Sequence, residues 1–438
     1  MNTTPVPEPH HGHVDPISIA AFWERPVVAR DGDEIALMLR IAARERPGAR
    51  ADRAPVDLAF ALDRSSSMSG EKIRLVKEAV AVALGQLDDR DQIGVVTFDS
   101  EIEMLQPLAR ATSGTKAKLR AALDRVDARG STYLSGGWLS ACQQLAMSPP
   151  GAGVARIQRT LLLTDGLANR GITDPGQLTT HAAELRARGI ATTTMGVGDR
   201  FDEILLSAMA EAGGGNFRYI GHPSELPAFF AGELGDLTSV VGLRPRLTLT
   251  VPLGVRAYLA NAFPVSRVAK TLTIDLRDVA GGETIDLIFT VRSGPWSTGP
   301  TPPFVARLTW IDPESGTSVE TGCPIAPLVR VSADEAATAP GDDMVRERAG
   351  LELAARDHRE AIRLDREGRY EESRHRFRSA GVALAAAPRS IEVAAQIRIL
   401  EELASASVAA PLAERTRKER VAYHAGHSRG GRRRPDAP

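Results

Sequence analysis

The chain has 438 residues, 43% hydrophobic and 25% charged, with a formal net charge of −1 at pH 7. That length implies roughly two to four domains of ~100–200 residues each, and the balanced charge excludes a global electrostatic pull toward nucleic acid or an anionic membrane. The two cysteines, Cys142 and Cys323, lie far apart with no CxxC, which excludes a disulfide scaffold or a zinc cluster; each reads as a small buried apolar residue.

Residues 1–24 are polar and rich in Pro and His, which predicts a flexible, disordered leader. His10, His11 and His13 read as part of that solvated leader rather than as a soft-metal site. The N-terminus has no basic n-region and no apolar h-region, and the longest apolar runs fall well short of the ~20 residues of a membrane helix. The expectation is a cytoplasmic protein with no membrane partner. In 25–55, two β-rich runs flank Asp31-Gly32-Asp33, a hairpin turn signal.

From 56 to 241 strand and helix signals alternate. VDLAFAL is a short, nearly continuous apolar strand, and Ile73, Val76, Val80, Leu84 and Leu87 then step by three or four along one helix face. QIGVVTF is the next strand and EIEMLQPL its hairpin partner. Helices follow from Ser113 and from Ser135, the latter placing Trp138 in the core. RTLLLTD is a strand buried on both faces, ATTTMGVG another, and the helix FDEILLSAMAEA stops at Gly213-Gly214-Gly215. FRYI is the last strand, and the last helix runs over 223–237. Doubly buried strands alternating with helices predict an open, mainly parallel, doubly wound sheet.

From 242 to 332 the helical signal vanishes. PRLTLTV, VAKTLTIDL, TIDLIFTV, FVARLTWI and PLVRVS alternate apolar and polar residues between Pro/Gly-rich turns, which predicts an antiparallel β-sandwich. The hairpin of 25–55 joins that sheet, so the fold class expected is α/β, with the doubly wound unit inserted into an antiparallel β-sandwich. Trp296, in the Pro/Gly-rich loop SGPWSTGPTPP, is a candidate contact residue. Residues 333–423 predict a C-terminal helical bundle. EGRYEESRHRFRSA is similar to one tetratricopeptide-like hairpin, and one hairpin is not an array. The tail 424–438, with Arg432, Arg433 and Arg434, reads as basic and disordered, with no aromatic residues to mark a nucleic-acid site.

The segment that carries chemistry is LAFALDRSSSMSGEK. It places Asp63, Ser65 and Ser67 just past the carboxyl end of the first parallel strand, the edge where doubly wound sheets bind ligands. GSTYL brings Thr132 to the same edge, and LLLTDGLAN brings Asp165. These are hard oxygen donors, suited to Mg²⁺, Mn²⁺ or Ca²⁺ and unsuited to zinc or copper. Three hydroxyls and two carboxylates leave a coordination position open, for which an incoming Asp or Glu carboxylate is the natural ligand.

DxSxS, then Thr, then Asp within TDG resembles the metal ion-dependent adhesion site of the von Willebrand factor type A (vWA) family, and the resemblance covers about 56–241. It implies direct metal contacts from Ser65, Ser67 and Thr132. Asp63 and Asp165 would act largely through bound water, with Asp165 direct in a closed state. Ser66 stands where many relatives have Gly, and Arg64 is less usual, with an expected influence on affinity or ligand choice. The wider layout is similar to that of bacterial vWA proteins and of inter-alpha-trypsin inhibitor heavy chains.

No enzyme motif competes. GxSxG is absent, SGEK at 69–72 lacks the rest of a phosphate loop, and GVGDRF is not GxGxxG. Three functions follow as expectations: a metal-dependent module that binds a protein ligand presenting an acidic residue; a scaffold or adaptor with a mainly structural metal; and an accessory subunit beside an AAA+ ATPase, which would have to supply the hydrolysis.

Overall fold

A computed structural model describes residues 16–45, 53–147, 155–294, 303–429 and 432–433. His10, His11, His13, Trp296 and Arg434 lie outside the described residues.

The centre is a six-stranded sheet. Its spatial order is Ile102–Arg110, Gln92–Phe98, Val56–Asp63, Ile157–Thr164, Ile190–Val197 and Gly214–Ile220. All neighbours are parallel except the antiparallel edge hairpin made by the first two. Val56–Asp63 is buried along its whole length because both of its faces are covered. Val56, Leu58, Phe60 and Leu62 point to one side, against Leu75, Val76 and Val80 of helix Glu71–Gln86 and Phe230 and Leu234 of helix Leu226–Thr238. Ala59 and Ala61 point to the other, against Trp138 and Leu145 of helix Leu134–Ala146 and Leu178 of helix Pro175–Ala187. The side-chain period of two therefore divides the strand between two cores. Trp138 is fully buried, and its indole N–H donates to Thr192 Oγ1 at 3.2 Å.

Two antiparallel sheets frame this unit. One orders Ile17–Trp23, Asp33–Ala43, Glu283–Ser293 and Val255–Leu259; the other orders Val265–Val268, Thr271–Asp275, Val240–Thr250, Phe304–Ile311 and Ser318–Ile325. Leu37, Leu39 and Ile41 of the first face share a core with Leu247, Leu249, Phe304 and Trp310 of the second, which makes a β-sandwich. The doubly wound unit leaves the sandwich after Ala43 and returns at Val240, so it is an insertion.

Three expectations need correction. Ile17–Trp23 is not leader; it pairs antiparallel along Asp33–Ala43, because ISIAAFW can lay an apolar edge on the sandwich. The runs around Asp31-Gly32-Asp33 do not pair with each other. Val27–Ala29 instead pairs in parallel with Val329–Val331, which therefore stands outside the sandwich sheets. The tail is ordered further than its composition suggests. Helix Glu414–Arg429 runs past residue 424, and Arg432–Arg433 pairs with Glu283 and Thr284. Among the described residues no helix is long and apolar enough to cross a membrane.

Buried charge joins the inserted unit to the sandwich. Asp278 accepts from Arg159 at 3.1 Å, Arg186 at 3.0 Å and the Arg244 backbone N–H at 2.9 Å. Burial pushes the Asp278 carboxyl up, but the Arg186 and Arg159 guanidiniums outweigh it and hold it below the usual carboxylate range. Truncating one member of such a group strands the others without compensation, at about 3–5 kcal/mol. Asp278→Ala is therefore expected to lower the thermal unfolding midpoint clearly; a midpoint unchanged in calorimetry would show that the cluster does not hold the two units together.

The C-terminal helices close the molecule. Helices Asp343–Arg366, Tyr370–Leu384 and Ile391–Ser405 pack around Phe377, Leu384 and Leu400. Helix Glu414–Arg429 reaches back to the inserted unit, where the buried Lys418 ammonium donates to Phe201 O at 2.7 Å and to Glu203 at 2.9 Å. Its His424 ring lies 4.1 Å from that of His358, centroid to centroid, beside a cavity of about 60 Å³. Burial first, then the Arg420 and Arg359 charges, push His358 down to about 3. An unfolded histidine titrates near 6.5. Its depressed folded value means that stability is fully present above pH ~6.5 and falls progressively as pH drops toward 3. At pH 5 the deficit is about 2 kcal/mol. His358→Leu should thus gain on the wild type as pH is lowered from 7.5 to 5 in parallel thermal melts; a constant difference would contradict a neutral buried His358.

Candidate metal centre

Strand Val56–Asp63 ends between Gln92–Phe98 and Ile157–Thr164, and its last side chain is pinned from both directions. Asp63 Oδ1 accepts the Ser65 backbone N–H at 2.7 Å, and Asp63 Oδ2 accepts the Thr164 hydroxyl at 2.5 Å. The carboxylate has no solvent exposure. Burial pushes it up to about 6, against the pull of the Thr164 and Ser65 donors, and the nearby Asp165 charge adds to the rise.

The chain then turns tightly through the 3-10 segment Ser66–Met68, anchored by the buried Met68. This turn brings the two serine hydroxyls together, with Ser65 Oγ and Ser67 Oγ 3.0 Å apart. Ser67 Oγ donates to Asp165 Oδ1 at 2.6 Å, so the first and third loops meet directly. Ser66 points the other way. Its backbone N–H and hydroxyl both donate to Gly130 O, at 3.1 and 3.0 Å, and fasten the first loop to the second. The Ser66 side chain therefore adds a tie between loops.

Thr132 is buried in that second loop and faces Gly166, the residue after Asp165. A Cβ at Gly166 would stand 2.8 Å from Thr132 Oγ1, so only glycine lets the third loop pass this close to the hydroxyl. The structure thus brings Asp63, Ser65, Ser67 and Asp165 into one hydrogen-bonded cluster and sets Thr132 against its edge. Arg64 does not face the cluster. It turns sideways to Asp99 at 2.9 Å and Glu103 at 2.5 Å, and Arg129 joins Asp99 at 2.8 Å, which makes Arg64 a brace between loops.

Two contributors escaped the sequence reading. Thr164 holds Asp63, and its signal was its place immediately before Asp165. Lys72 is the second residue of helix Glu71–Gln86, and its ammonium donates to Asp165 Oδ2 and, at 3.3 Å, to Ser67 O. A lysine at a helix start reads as a solvated side chain, yet here it serves as a cation on a carboxylate with no solvent exposure.

The donor chemistry fits a hard divalent ion. Every candidate atom is oxygen, two carboxylates are buried side by side, and one already draws a positive charge from within the chain. Among the described residues no group of three or more His, Cys, Asp and Glu is arranged for a metal, so this centre rests on hydroxyls as much as on acids.

Comparison with known proteins bears on the family and fold of this unit. Residues 57–231 match the family model of the von Willebrand factor type A domain. YfbK of Escherichia coli K12 is 28% identical over 283 residues, 63% of this chain and 48% of YfbK. Human inter-alpha-trypsin inhibitor heavy chain H4 is 29% identical over 178 residues, 39% of this chain and 19% of the heavy chain. The chain thus spans about half the length of the bacterial relative and a fifth of the human one. A von Willebrand factor type A structure from Catenulispora acidiphila shares the fold across 97% of this chain and 99% of its own, with a TM-score of 0.71 at 18% identity. The chain carries a von Willebrand factor type A domain, set within a β-sandwich and followed by helices.

Proposed function

We propose that this chain is a binding protein rather than an enzyme, and that it holds a partner through a divalent ion of the Mg²⁺ type. Domains of this family are in general metal-dependent protein-interaction modules. The observation that carries the reading is the convergence of Asp63, Ser65, Ser67, Thr132 and Asp165 at one sheet edge, with Lys72 supplying a positive charge to Asp165. Bound there, a divalent ion would offer an open coordination position to an Asp or Glu carboxylate of the partner.

In this reading Ser65, Ser67 and Thr132 present neutral oxygens, and Asp63 and Asp165 supply the charge. Neutral hydroxyls leave the site electron-poor enough to accept one more carboxylate. Thr164 and the Ser65 N–H orient Asp63. A hydrolytic role has less support. The Ser65 and Ser67 hydroxyls meet each other and Asp165, and among the described residues no histidine is hydrogen-bonded to either as a general base.

Asp63→Ala is expected to abolish metal-induced stabilisation, which at 100-fold excess over Kd is about 2.7 kcal/mol for the wild type. Thermal melts with Mg²⁺ and with EDTA measure it. An equal response of wild type and variant would overturn the assignment. Lys72→Met removes a competing cation and should tighten Mn²⁺ binding on the order of tenfold by electron paramagnetic resonance; weaker binding would show that Lys72 supports the ion instead. Because the Asp63 carboxyl is raised to about 6, metal must displace a proton below that pH. Affinity should be flat above pH ~6.5 and fall with acidity below 6; a pH-independent affinity from 5 to 7.5 would exclude Asp63 from the site.

A further inference from the structure

The loop that follows Asp165 passes over the second loop and ends on Tyr133, next to Thr132. A Cβ at Gly171, whose φ is +73°, would strike the Tyr133 ring, and the Ile172 N–H donates to Ser135 Oγ at 3.0 Å. This seat fixes the residue just before them. The Arg170 guanidinium lies 5.2 Å from the centroid of the Tyr133 ring and donates to Ser100 O. Ser100 Oγ in turn accepts the Ser131 N–H at 3.0 Å. Arg170 is therefore held on Tyr133, the residue after Thr132, and on Ser100, which is itself tied to Ser131, the residue before it.

Three cations close to the candidate residues are already matched by acids. Arg64 pairs with Asp99 and Glu103, Arg129 with Asp99, and Lys72 with Asp165. Among the described residues Arg170 forms no ion pair, although it is exposed and its side chain is held at two points. A guanidinium fixed in this way has lost much of its rotamer freedom before any ligand arrives, and its remaining N–H groups suit a planar carboxylate. Leu167, 55% exposed, gives the same loop an apolar side chain at the surface.

We propose that the partner segment is doubly acidic: one carboxylate goes to the metal and a second, no more than two residues away, goes to Arg170. In an extended segment residues two apart present side chains on one face about 7 Å apart, so one short stretch can offer both acids to the same rim. The inference rests on the metal-bridged reading above and adds to it the spacing of charge in the ligand.

The test is selection of linear peptides from a random display library on the full chain in Mg²⁺, with wild type and Arg170→Gln. Thermal melting and Mn²⁺ affinity, both expected to be unchanged, confirm that the variant keeps its fold and its metal centre. Wild type should enrich peptides with two acids within two residues. One such peptide should bind Arg170→Gln about tenfold more weakly, and replacing its second acid by the amide should weaken binding to wild type but not to the variant. Enrichment of singly acidic peptides by wild type, or equal sensitivity of both proteins to loss of the second acid, would overturn the role of Arg170 and leave the metal bridge standing. Enriched peptides without acids, binding that persists in EDTA, or no enrichment at all would remove the metal bridge and the inference together.

Discussion

Asp63 and Asp165 lie side by side without solvent at the end of a sheet, and the rest of the site answers that constraint. A buried carboxylate is stable only when its oxygens are hydrogen-bonded and its charge is met. Thr164, the Ser65 N–H and Ser67 meet the oxygens. Lys72 meets part of the charge, since one ammonium cannot balance two carboxylates. Burial raises Asp63, and the Asp165 charge adds to the rise; under the proposed function a divalent cation would supply the charge that this edge lacks.

The surrounding architecture holds the edge in place. Parallel strands covered on both faces bring three loops to one side, and close ties such as Ser66 to Gly130 and Gly166 against Thr132 fix their spacing. The sandwich grips the inserted unit through the Asp278 cluster. The last long helix grips it through Lys418, which binds Phe201 O in the loop after strand Ile190–Val197. That loop starts at Gly198, where an added Cβ would stand 3.7 Å from Lys72 Nζ. The C-terminal helix thus touches a loop that borders the candidate centre.

Most of this was legible in the sequence where one physical signal dominates. VDLAFALD announces a doubly covered strand, and the order of hydroxyls and acids at the ends of such strands announces that they gather at one sheet edge. Legibility failed where pairing or polarity decides. Ile17–Trp23 is an edge strand of mixed exposure behind a polar segment, and its partner lies across a turn that looked like a hairpin of its own. Helix Glu414–Arg429 has no apolar stripe; its buried groups include Lys418 and His424, which a hydrophobic pattern cannot reveal. Arg64 looked like a modifier of the site, and its direction toward Asp99 depends on a neighbouring strand that spacing alone does not place.

The most direct measurement is anomalous diffraction from crystals of the full chain grown with Mn²⁺. One strong peak within coordination distance of Ser65 Oγ, Ser67 Oγ and Thr132 Oγ1 is the expected result, with the Lys72 ammonium drawn away from Asp165. A cluster with no peak at saturating Mn²⁺, and Lys72 still seated on Asp165, would show that the buried carboxylates are balanced from within and that the partner is not held through a metal.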